Sequence, residues 1–289
     1  YMIPGGPATA LLGMEATPEA IADLNAELGF DRPFFVQYAD WFMNMLHGDW
    51  GQSYFLQTTV LDAIGEYFVP TFSLAVFAQL ISLVIAVPMG ILAAYKRGTS
   101  VDIITVSISL LGIAIPGFLL SMFLMLFFGV HLKWLPVAGY VQLSRGLLEH
   151  LRYLLLPALS LGVVQAAYIT RMSRSAMLDV LYMNYIRTAR AKGLRESAVV
   201  LVYGLKNAGP TILTVAGQSF GSLVTGTIVT ETLFNIPGLG MLTMTSITRR
   251  DVFVIQGVVL FVTLIYVLVN LAVDILYGFV DPRIQLGNK

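Results

Sequence analysis

No cysteine occurs among the 289 residues. Disulfides, thiolate metal sites and cysteine nucleophiles are therefore excluded. Charge is also scarce: Asp, Glu, Lys and Arg make up 12% of the chain, with 17 residues of each sign. A zero net charge argues against nucleic-acid binding, whose footprint is a basic domain. The pattern G-x-x-x-x-G-K-[ST], which cradles nucleotide phosphates, is absent. This chain is not expected to bind ATP or to hydrolyse it. The three histidines, His47, His131 and His150, fall outside the longest apolar runs. They offer no visible metal cluster, and no Ser–His or paired-Asp constellation stands inside a bilayer as a membrane protease needs.

What is abundant is apolar surface, with 57% of residues hydrophobic. About 20 apolar residues, rising about 1.5 Å each, cross a bilayer. Five uncharged runs reach that scale: 71 to 95, 103 to 130, 153 to 170, 207 to 230 and 252 to 273. Buried helices of a large soluble protein are a poor alternative, because too little polar sequence remains to cover such a core. The expected class is an all-α polytopic membrane protein.

Basic residues near span ends stay in the cytoplasm. Threading the five runs puts eleven cations on one side (Lys96, Arg97, Arg171, Arg174, Arg187, Arg190, Lys192, Arg195, Lys206, Arg283 and Lys289) and six on the other. The richer side is assigned to the cytoplasm, with the C-terminus, and residues 1–66 then lie outside. The chain opens "YMIPGGP", with no initiator Met and no preceding apolar run. An external N-terminal region must be carried across, so a further span ending near Ile3 is expected to precede it, giving six spans.

The external region reads as two helices. Thr17 caps one that starts at Pro18, carries Ile21, Leu24 and Leu28 as a stripe and ends at Gly29. The other runs from Pro33 to His47, stops at Gly48 and bears Phe34, Tyr38, Trp41, Phe42 and Met45 at helical spacing. Packing on the outer ends of the spans and docking of an external partner both fit this pattern. A second external segment, "TETLFNIPGLGMLTMTSITRRDV", carries Glu231, Pro237, Gly238, Arg249, Arg250 and Asp251. It reads equally as an ordinary connection and as a gate dipping toward the membrane.

The segment Arg171 to Lys206 holds seven cations against Asp179 and Glu196. If 181 to 193 is helical, Tyr182, Tyr185, Ile186, Ala189 and Gly193 share one face, with Arg187 and Arg190 opposite. Such a helix suits a groove on another protein; a surface helix on anionic lipid is the competing reading.

At these residues the chain resembles the inner-membrane permease subunits of bacterial ABC importers, in the dipeptide and oligopeptide branch. The likeness runs through "IPGGP", "AELGFDRPFFVQY", "HGDWGQS", "PMGILAAYKRG", "ITRMSRSAMLDVL", "YIRTARAKGL", "IVTETLFNIPGLG" and "VNLAVDILYGFVDPRI". It implies a type I importer permease fold, with 67–280 the membrane domain, 171–206 the coupling segment and 281–289 a cytoplasmic tail. Residues matching the family's ATPase-docking coupling helix are Tyr182, Tyr185, Ile186, Arg187, Thr188, Ala189, Arg190, Lys192 and Gly193. The general permease motif opens Glu-Ala-Ala and has Gly six residues after the Glu. Here those positions are Arg187, Thr188, Ala189 and Gly193, of which the last two match. The departure resembles the peptide branch and puts in doubt only contacts made by that Glu.

The resemblance further implies a second homologous permease, two cytoplasmic ABC ATPase subunits that bind ATP and magnesium, an extracytoplasmic substrate-binding protein, and residence in the bacterial cytoplasmic (inner) membrane. Short peptides are the implied substrate, with nickel chelates, glutathione and sugars as alternatives within the family. An ion-coupled secondary transporter is a rival, but it should show intramembrane charges and internal repeats.

Weaker signals lie within the runs. Pro88, Pro116, Pro157 and Pro210 each invite a bend. Gly217, Gly221 and Thr225, at four-residue spacing, mark close helix contact inside the bundle, a wide pathway lining, or the interface between two permeases. Asp274 follows a long apolar run, and pairing with a basic residue or capping a neighbouring helix at the membrane surface is its expected role.

Overall fold

The computed structural model describes residues 9, 12, 16–27, 29, 31–53 and 55–280. The "IPGGP" motif, Ile3, Leu28 and the tail 281–289 lie outside the described residues.

Two short helices precede the first long one: α1 (Pro18–Glu27) and α2 (Phe34–Leu46). The Thr17 hydroxyl accepts from Ala20 N at 3.3 Å, which is the expected cap. A two-residue hairpin, Gln52–Ser53 with Thr58–Thr59, delivers the chain to α3 (Val60–Tyr95). Thr59 caps α3, accepting from Asp62 N at 3.1 Å. At 36 residues α3 is roughly 54 Å long, well beyond a hydrocarbon core of about 30 Å, so its ends project from the bilayer. It continues through Pro70 and Pro88 without a break.

The run 103–130 is not one continuous helix. It divides into α4 (Ser100–Ala114) and α5 (Gly117–Leu124, prolonged as a π-helix over Met125–His131), bent by 97°. The break has a local cause: Ile115, preceding Pro116, adopts an extended ψ of 122°, as the proline ring disfavours the helical region for the residue before it. Pro116 thus bends the chain, whereas Pro157 and Pro210 lie inside uninterrupted helices.

Helix α6 (Leu147–Leu181) packs along α3. Glycine permits the approach: a Cβ on Gly162 would lie 2.8 Å from Ala78 O, and one on Gly90 2.7 Å from Ser173 Cβ. After the short α7 (Asn184–Ala191) comes α8 (Glu196–Thr225), whose stretch Val199–Gly204 is π-helical. Two further short helices, α9 (Ile228–Phe234) and α10 (Leu239–Arg249), form a hairpin before the last span, α11 (Val252–Val280). The described chain therefore has four helices long and apolar enough to cross a membrane, and five crossings if α4 and α5 count as one.

Among the described residues, buried side chains gather in four clusters, one of them the small group Ala86, Ala166, Ile169 and Val215. One cluster joins Ala94 of α3, Met177 and Val180 of α6, Ile186 and Ala189 of α7, and Val199 and Ala208 of α8. A central cluster holds Leu74, Leu154, Leu223 and Phe234. A third, at the other end of α3, holds Val60, Ile64, Leu239 and Val254.

Candidate functional site

The cationic connection is largely helical. Helix α6 runs on to Leu181, and Tyr182 ends it rather than beginning α7. The Tyr182 ring lies under the Arg97 guanidinium, 5.1 Å from the ring centre, and its hydroxyl accepts from Arg97. Gly193 closes α7 at φ +77°, with Gly193 N bonded to Arg190 O and Leu194 N to Ala189 O, the Schellman arrangement. A side chain there would meet open space, so the positive φ is the reason for glycine.

One sequence expectation is overturned here. Ile186 and Ala189, the centre of the face assigned to a partner's groove, are 0% and 5% exposed, packed within this chain between the ends of α3, α6 and α8. The amphipathic helix exists, but its apolar side is turned inward, where the adjoining span ends already supply an apolar bed. The outward side presents Tyr185, Arg187, Thr188 and Lys192. Arg190 is held to Glu196 at 2.7 Å, tying the end of α7 to the start of α8. At the same end Arg174 grips Asp102 through both carboxylate oxygens, at 2.5 and 2.8 Å, fixing α6 to α4.

At the far end stands Glu231, fully buried. Its carboxylate accepts four hydrogen bonds: from the hydroxyls of Thr71 and Thr227, both at 2.7 Å, and from the backbone N–H groups of Gly240 and Met241, at 2.8 and 3.1 Å. The latter two belong to the first turn of α10, where N–H groups lack helical partners and the dipole favours an anion. Thr71 completes the ring by accepting from Leu239 N at 2.8 Å. Gly238 is required by this geometry, since a Cβ there would lie 2.4 Å from Glu231 Cδ. Pro237 is exposed at the tip of the turn. Nearby, Ser53 donates to Asp251 at 2.6 Å, fastening the N-terminal hairpin to the start of α11.

Gly217 and Gly221 form a contact inside the chain. Added Cβ atoms would lie 2.1 Å from Val273 Cγ2 and 3.0 Å from the Tyr266 ring, so this face of α8 is occupied by α11. Thr225 bonds back to Gly221 O at 3.2 Å. Asp274 is exposed on α11 and forms no ion pair with another described residue, so the expected pairing is not met among them.

Sequence reasoning missed Thr71 and Thr227 as the partners of Glu231, and the Asp102–Arg174 pair. The only signal for the first was a glutamate upstream of Pro-Gly-Leu-Gly; for the second, opposite charges flanking two uncharged runs.

Comparison with known proteins adds three findings. The family described as the binding-protein-dependent transport system inner membrane component matches residues 86–286, and its N-terminal companion family matches residues 1–75. The "Probable peptide ABC transporter permease protein y4tP" of Sinorhizobium fredii is 39% identical, over 98% of this chain and 91% of that protein, and the dipeptide transport system permease DppB of Escherichia coli K12 is 38% identical, over 99% and 91%. Among solved structures, the inward-facing MetNI methionine ABC transporter superposes with a TM-score of 0.64 at 19% identity, over 76% of this chain and 97% of that one, a likeness of fold.

Proposed function

The chain belongs to the binding-protein-dependent transport inner membrane component family, and from that premise we propose that it is the permease of an ATP-driven importer passing short peptides across the bacterial cytoplasmic membrane by alternating access. The observation that carries the substrate class is the similarity, over nearly the whole length of both chains, to permeases named for peptides and dipeptides. In this reading residues 1–66 face outward and 67–280 form the membrane domain. The tail and residues 171–206 lie in the cytoplasm, a second homologous permease completes the pathway, and two ATPase subunits supply the energy. A substrate-binding protein delivers the peptide.

The geometry supports a specific way of coupling. Tyr185, Arg187, Thr188 and Lys192 form the docking side of α7, while Ile186 and Ala189 embed it in the ends of three spans. A displacement imposed on α7 by an ATPase is passed to α3, α6 and α8 together, because a close-packed interior transmits strain. Helix α3 extends this roughly 35 Å, from Ala94 at one end to Thr71 in the Glu231 ring at the other. There the α9–α10 hairpin serves as the outer gate.

Uptake of a labelled dipeptide into proteoliposomes containing the permeases, ATPases and binding protein tests the proposal. Uptake should require ATP and survive an uncoupler, since the five apolar runs carry no charged residue to relay ions. Loss of uptake under the uncoupler at constant ATP would overturn the energy source. Uptake of other solutes but no peptide would overturn the substrate class.

A further inference from the structure

Helix α2 presents its apolar side chains outward. No residue in it is buried. At roughly 100° per residue, Phe35, Tyr38, Phe42 and Leu46 fall on one side, Asp40 and Asn44 on the opposite side, and Gln37, Trp41 and Met45 on the edge between them. Only that edge is half-buried. Gln37 and Trp41 share a cavity with Val252, Phe253 and Gln256, at the start of α11, and Tyr38, Asp40 and Asn44 also line it. Phe35 and Leu46 are 82% and 63% exposed, while Arg32 bridges to Asp40 at 3.2 Å toward the polar side.

We infer that α2 is an interfacial anchor, lying in the headgroup layer with Phe35, Tyr38, Phe42 and Leu46 in the bilayer and Asp40 and Asn44 in water. The level follows from what it touches. Arg249, Arg250 and Asp251 immediately precede the apolar run of α11, so the membrane surface passes near Val252, beside α2. The orientation follows from the cavity, which takes in Asp40 and Asn44 on the polar side but not Phe35, Phe42 or Leu46. Aromatic side chains concentrate at this depth in membrane proteins, and an amphipathic helix in the interface plane buries its apolar face among the upper acyl chains. Further along α11 Val259 is exposed, as a lipid-facing helix requires. A docking protein is a poorer occupant, because between encounters it would leave this aromatic patch in water.

The absence of cysteine makes the test direct. Single variants Phe35→Cys, Leu46→Cys, Asp40→Cys and Asn44→Cys are spin-labelled in the full chain, purified with its partner subunits but without binding protein, and reconstituted in nanodiscs. The unmodified complex, labelled in parallel, supplies the background. Labels at 35 and 46 should collide several-fold more with oxygen than with a water-soluble nickel chelate, and labels at 40 and 44 the reverse. Phe42→Cys reads the same side as Phe35→Cys should the latter not fold. Nickel access at 35 and 46 equal to that at 40 would put the face in water and overturn the inference. Exclusion of both reagents would show a protein cover and overturn it equally.

Discussion

Glu231 illustrates how much a single residue organises here. Its four donors come from three separate pieces of chain, α3, the start of α9 and the first turn of α10. Glu231→Ala leaves those donors buried without an acceptor, a loss of about 3–5 kcal/mol. Glu231→Gln keeps the volume and one oxygen, and should cost less, about 1–3 kcal/mol. Thermal unfolding of the purified permease measures both; an alanine variant as stable as the wild type would remove the ring from the account. Ala189 gives a second prediction at this scale. Because it is buried against the chain's own span ends, Ala189→Asp places an unpaired charge in that cluster and should lower the amount of folded permease whether or not ATPase is present. Thr188→Asp, on the outward side of α7, should leave the permease folded and act only on ATPase retention. Normal folding of the Ala189 variant, judged by gel filtration, would restore that side of the helix to a partner.

Between elements, the contact of α8 with α11 depends on having no side chain at Gly217. A methyl group there overlaps Val273 Cγ2, so Gly217→Ala should destabilise by about 1–3 kcal/mol, as overpacking does. Val273→Ala removes the overlapping methyl groups, and the double variant should recover part of the loss; the two changes share one contact and should not add. A simple sum of the single effects on melting temperature would mean the glycine serves something other than this crossing. The bend between α4 and α5 lies at the same scale. It was legible only as an invitation, because four prolines stood in the apolar runs and one of them breaks its helix. At Pro116 the helix breaks and α5 packs on α6 and α9, whereas α3, α6 and α8 continue through their prolines.

For the whole assembly, the outward cations of α7 should set how firmly the ATPases are held. Arg187→Gln and Lys192→Gln lie on exposed positions, so each should leave the permease intact and make ATPase co-purification more sensitive to salt, because screening acts on exposed charge pairs. Equal retention by wild type and double variant from low to high salt would move the docking surface elsewhere.

Hydrophobic length and charge placement are properties of local composition, and the sequence by itself determined what depends on them: the helical membrane class, the approximate position of the four long apolar helices, the cap at Thr17, and the cationic amphipathic character of α7. Periodicity gives a helix two faces but not the direction in which each points. Only the tertiary structure decided that Ile186 and Ala189 turn inward, since the bed they occupy is assembled from residues far apart in the chain, Ala94, Met177 and Val200. It likewise decided that Glu231 meets Thr71, 160 residues away, and that Asp102 meets Arg174, 72 residues away. A buried polar side chain must find its partners, but which ones it finds depends on how the helices stack, and no short window of sequence contains that.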